Sequence, residues 1–79
     1  MSPTFLRYKS YRFYVNSREE PRKHIHVQTT NGEIKIWLEP KVEIAKIYNV
    51  NQKEKNEILE IVKEKKDEFI KLWNKHFGL

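Results

Sequence analysis

Residues 21–39 read PRKHIHVQTTNGEIKIWLE, and the alternation in this stretch decides the fold. Side chains at i and i+2 of an extended strand share a face, about 7 Å apart. His24 and His26 therefore stand side by side while Ile25 and Val27 turn to the opposite side. From Glu33 to Glu39 the alternation is strict, with Ile34, Ile36 and Leu38 on one face and Glu33, Lys35, Trp37 and Glu39 on the other. Between these two strands lies Thr30-Asn31-Gly32-Glu33, whose Asn-Gly pair is the preferred centre of a two-residue hairpin turn. The stretch is thus expected to be an antiparallel hairpin with one apolar face and one chemically active face.

Working outward, Phe5 to Asn16 reads as a further strand bent near Ser10, with Tyr11, Phe13 and Val15 inward and Arg12, Tyr14 and Asn16 outward. Asn16 to Glu20 is polar and ends at Pro21, which has no amide to donate, so this segment is expected to be a loop. Beyond Pro40, Val42 to Ile47 forms a short fourth strand with Val42 and Ile44 inward. After Asn51 the period changes to that of a helix. Ile58, Val62, Phe69, Trp73 and Phe77 form one stripe, reinforced by Leu59, Ile61, Ile70 and Leu72. Asn51 and Glu54 have the spacing of a capping box, Gly78 ends the helix, and the polar run Glu64 to Lys66 is where it kinks or splits in two.

These elements give one domain over residues 1–79, with a sheet at 5–47 and a helix at 51–77. The fold class is α+β: an antiparallel meander of three to four strands with one face covered by a long C-terminal amphipathic helix. A chain of 79 residues has room for one thin core. Without cysteine it has neither disulfides nor a zinc-thiolate site. No apolar run approaches the roughly 20 residues of a membrane helix, and the N-terminus lacks a signal-like segment. A cytoplasmic protein with no membrane association is the expectation.

The net charge of +5 is unevenly placed. Residues 1–50 hold nine Lys/Arg against five Asp/Glu, and residues 51–79 hold seven against six, so +4 of the +5 precedes the helix. The helix's Lys/Glu surface reads as a solvated face. The sheet's second face then gathers Arg12, Tyr14, His24, His26, Gln28, Lys35 and Trp37, with Arg22 and Lys23 leading into it. Cations among aromatic rings are what single-stranded nucleic acids need, since bases stack on rings while Arg and Lys follow phosphates. Trp37, among charged neighbours, stacks on a base, anchors a protein partner, or is covered by a neighbouring loop or the chain terminus, whereas Trp73 on the helix stripe is core.

Phe13-Tyr14-Val15-Asn16 after Arg12, the Pro-x-x-His-x-His-Val motif at Pro21 to Val27, the Asn-Gly pair and a C-terminal helix with Glu60 and Trp73 together resemble the Domain of Unknown Function 4160 family of small prokaryotic proteins. The chain departs from that pattern at Arg22-Lys23, where the family usually has a second proline, and at Ile61, where it usually has a tryptophan. The resemblance implies a compact α+β domain and one half of a two-gene module of toxin–antitoxin type, beside a very small companion protein. It implies no activity.

Three roles stay open for His24 and His26. They can hold the Pro21 turn by hydrogen bonds to backbone, contact RNA, or serve as acid and base in metal-independent RNA cleavage, with Arg22, Lys23 or Lys35 stabilising charge on the phosphate. A metal site lacks further ligands, since Glu19 and Glu20 lie in the loop and His76 lies at the far end of the helix. No metal or cofactor is expected. The leading expectation is an RNA-interacting member of such a module, and whether it is an enzyme stays open. The alternative is a non-enzymatic module that binds the companion protein or a second copy of itself.

Overall fold

The computed structural model describes residues 3–16 and 21–78. It is an α+β fold in which five strands precede two helices. The strands are β1 (Thr4–Tyr8), β2 (Tyr11–Tyr14), β3 (His24–Gln28), β4 (Glu33–Trp37) and β5 (Glu43–Tyr48), followed by α1 (Gln52–Glu64) and α2 (Lys66–Phe77). Each strand pairs antiparallel with the next, so the sheet is a meander in chain order.

Five strands replace the three to four expected, because Phe5 to Asn16 is a hairpin and not one bent strand. Tyr8 pairs with Tyr11 across Lys9-Ser10, and Lys9 takes a left-handed φ of 55°. Nothing in the sequence marks that turn, since a lysine stands where Gly or Asn is the usual signal for positive φ. The β3–β4 turn is also displaced by one residue. Gln28 pairs with Glu33, and the Thr29 amide donates to the Gly32 carbonyl at 2.9 Å, so the central residues are Thr30 and Asn31. Gly32 is required for a different reason. A Cβ there would stand 2.1 Å from the Tyr48 carbonyl oxygen and 2.4 Å from that of Asn49, where the end of β5 passes over the turn.

The sheet's apolar face carries Phe13, Val15, Ile25, Val27, Ile34, Ile36 and Leu38, all buried together with Ile58 and Val62 of α1 and Phe69 and Trp73 of α2. Phe69 stacks on Phe13 with ring centroids 5.7 Å apart. Helices of 13 and 12 residues are marginal alone, so this contact with the sheet holds them. The Asn51–Glu54 capping box is present, and Gly78 closes α2 at φ 71°. The helical segment divides at Lys65, whose φ and ψ of −102° and 15° leave the helical region. Glu64, Lys65 and Lys66 offer no apolar side chain to the stripe there, so packing does not hold the turn straight. Tyr11 ties β2 to α1 by donating its hydroxyl to Glu57 at 2.7 Å, and Lys9 forms an ion pair with the same carboxylate. Among the described residues, no helix is long and apolar enough to cross a membrane.

Candidate nucleic-acid interface

The helices cover one face of the sheet, and pairing arranges the other in three rows. One row runs Arg7, Arg12, Gln28, Glu33, Tyr48; the next runs Tyr14, His26, Lys35, Lys46; the third runs His24, Trp37, Glu43. Arg12, Tyr14, His24, His26, Lys35 and Trp37, expected to share a face, are thus neighbours across β2, β3 and β4. Period-2 alternation survives in these three strands because their pairing has no irregularity.

Two aromatic–cation arrays stand on this face. In the first, the Arg12 guanidinium lies 4.5 Å over the Tyr14 ring, and that ring stacks on His26 at 5.2 Å and 22°. Thr4 Oγ1 accepts from Arg12 Nε at 2.7 Å, and Asn16 Nδ2 lies 3.4 Å from His26 Nε2. In the second array, Trp37 carries the Arg22 guanidinium at 4.1 Å and Lys35 Nζ at 4.6 Å. Trp is the strongest of the aromatic cation acceptors. Arg22 is further fixed by donating Nε–H to the Glu39 carbonyl at 2.9 Å. Lys23 stands apart from both arrays: its ammonium pairs with Glu39 at 3.1 Å, at the end of the sheet beside Pro21 and Pro40.

The two histidines have different environments. His26 is half-buried on the open face, whereas His24 has no exposed surface. The His24 ring meets Trp37, Trp73 and His26 edge-on at 5.5, 5.0 and 5.0 Å. Its Nδ1 lies 2.8 Å from the Arg22 carbonyl. A carbonyl can only accept, so Nδ1 carries the proton and the ring holds the Pro21–Lys23 segment against the sheet. A ligand on the open face therefore meets one imidazole, not two.

Four residues of the face escaped the sequence reading, Arg7, Glu43, Lys46 and Tyr48. Continuing the inward alternation of Val42 and Ile44 would send Lys46 into the core. Instead, the register slips between Lys35 and Ile36: Lys46 pairs with Lys35, Ile44 pairs with Ile36, and Ala45 is left over as a bulge. Lys46 and Tyr48 thereby join the open face. With His26, Glu33, Ile34 and Lys35 they line a cavity of about 200 Å³.

At the β1–β2 turn, burial and hydrogen bonding shift three ionisations. Burial, reinforced by its bond to Glu57, pushes the Tyr11 phenol up to about 12. Hydrogen bonds from Lys9 and Tyr11 hold the Glu57 carboxyl below its ordinary value, and the bond to Glu57 raises Lys9. Of the weak metal-ligand candidates, Glu19 and Glu20 lie outside the described residues, and His76 packs its ring against Phe77 at 4.6 Å. Among the described residues, no group of three or more His, Asp or Glu is placed to hold a metal ion.

An antiparallel sheet with helices on one side and cations laid over aromatic rings on the other defines a small α+β platform domain. Residues 10–74 match the family described as Domain of unknown function (DUF4160), and the chain belongs to that family. The match includes β2 through most of α2 and leaves β1 outside. No curated protein and no solved structure matches the chain.

Proposed function

We propose that this protein binds single-stranded RNA on the open face of its sheet, as the RNA-directed member of a toxin–antitoxin-like pair. The observation that carries the reading is the pair of arrays, Arg12–Tyr14–His26 and Arg22/Lys35–Trp37, side by side on the sheet face opposite the buried apolar one. Bases stack on aromatic rings and on guanidinium planes alike, and a cation held over a ring is already oriented toward a phosphate. Gln28, exposed in the row of Arg12, offers an amide donor and acceptor to a 2′-hydroxyl. Burial of His24 takes the His24/His26 acid–base pair off the face, so the reading is binding and not cleavage.

Fluorescence anisotropy with a labelled oligonucleotide, over a salt series, tests it. Neutralising three phosphates through Arg12, Arg22 and Lys35 predicts a log–log salt slope of about −2 for single strands. Losing one stacking ring in Trp37→Ala or Tyr14→Ala costs about 1 to 3 kcal/mol, roughly 5- to 150-fold in Kd. Absence of binding at the lowest salt overturns the reading.

The competing role, a module that binds a companion protein or a second copy of itself, draws on Ile47 and Tyr48, which are 43% and 69% exposed on the edge strand β5. Against it, both edge strands carry an irregularity, at Thr4/Leu6 in β1 and at Ala45 in β5, and bulges make an edge a poor template for another strand. Light scattering that shows a dimer at micromolar concentration favours the competing role.

A further inference from the structure

We infer that the cavity between β3, β4 and β5 is a phosphate-monoester subsite that takes the terminal phosphate of the bound RNA; this rests on the RNA-binding reading of the same face. Lys35 and Lys46 are direct cross-strand partners, and both line the cavity, so two cationic side chains reach it from adjacent strands. His26 from β3 and Tyr48 from β5 add further polar groups, and among the described residues Glu33 is the carboxylate on the lining. At neutral pH a terminal monoester approaches two negative charges, against one for an internal diester, and so matches two ammonium groups better.

Size and position point the same way. Small-molecule sites run from about 300 Å³ upward, so a cavity of about 200 Å³ suits a phosphate group and its ribose edge more than a whole nucleotide. It lies at the β5 end of the row Tyr14, His26, Lys35, Lys46. His26 both lines the cavity and stacks on Tyr14, which places a ring surface for a base next to the phosphate position. A strand crossing the sheet from Tyr14 toward β5 would end in the cavity. Glu33 on its lining disfavours a further phosphate there.

The test compares one internally labelled single-stranded RNA with hydroxyl ends, with a 5′-phosphate and with a 3′-phosphate, at fixed salt. The preferred phosphorylated form should bind about tenfold tighter than the hydroxyl-ended one, the size of one charge-assisted hydrogen bond. Lys46→Ala, on an exposed edge strand, should abolish the preference, read as the ratio of the Kd values for hydroxyl-ended and phosphorylated RNA on the same variant so that any general loss of affinity cancels. Equal binding of all three RNAs overturns the subsite and leaves the platform standing. A preference that survives Lys46→Ala places the phosphate elsewhere and overturns it too. A free nucleoside monophosphate that competes as strongly as the RNA end reassigns the cavity to a nucleotide and overturns the RNA-end assignment. Failure of every RNA to bind removes the platform, and the subsite with it.

Discussion

Replacing His24 by alanine tests the claim that this histidine is architecture beneath the face. Its ring is fully buried, its Nδ1–H reaches the Arg22 carbonyl at 2.8 Å, and it sits edge-on against Trp37 and Trp73. The lost hydrogen bond costs about 1 kcal/mol. Each aromatic contact adds about 0.5 kcal/mol at the lower end of its range, and the vacated space adds about 1 to 2 kcal/mol. Together these come to about 3 to 4 kcal/mol, taken from a domain whose total stability is about 4 to 12 kcal/mol for its 79 residues. At about 4 to 8 °C per kcal/mol for a domain of this size, Tm should fall by at least about 12 °C. Thermal unfolding followed by far-UV circular dichroism measures this. A His24→Ala variant within about 3 °C of wild type, with RNA binding abolished, refutes the reasoning and returns His24 to a direct role on the ligand.

Glu57→Gln probes the network that ties the β1–β2 turn to α1. Because the Glu57 carboxyl lies below its ordinary 4.5 when folded, its contribution is fully present above that value and is lost as pH falls through the lowered one. Tyr11 is raised from 10.0 to about 12, so its contribution is present below pH 10.0 and is lost as pH rises toward about 12; Lys9, raised above 10.5, acts in the same direction. The stability difference between wild type and Glu57→Gln should therefore be flat across neutral pH and shrink on both sides, which urea unfolding at a series of pH values checks. Gly32→Ala should destabilise by about 1 to 3 kcal/mol, as overpacking does, because its Cβ would meet the backbone of Tyr48 and Asn49. It should also move Tyr48 away from the cavity, weakening any preference for phosphorylated RNA ends; unchanged stability contradicts the close approach.

How much of this was legible in the sequence depended on whether strand alternation survived pairing. Ile34, Ile36, Lys35 and Trp37 lie on the faces their spacing gives, and the rows through β2, β3 and β4 assemble the polar face as read. The break at Lys65 was visible as a polar interruption of the apolar stripe. Where one residue breaks the period, the reading fails. The bulge at Ala45 turns Lys46 outward and Ile47 to the row of Ile34, so the fifth strand's contribution to the face was missed. Lys9 adopts a turn conformation that its residue type does not announce, so two strands read as one. The burial of His24 was also out of reach. Alternation assigns it to the open face, but Trp73, 49 residues later on α2, and Trp37 close against it, a tertiary contact that local spacing does not encode. Gly32 looked like a turn residue, but the backbone of a later strand is what excludes a side chain there.

The most direct test of the RNA-binding platform is to titrate isotopically labelled protein with a short single-stranded RNA and follow backbone amide and indole shifts by NMR. Shifts concentrated at Arg12, Tyr14, His26, Lys35 and the Trp37 indole, with the outer surfaces of α1 and α2 unmoved, are what the platform predicts. No shifts at low salt, or shifts confined to the helices, would contradict it.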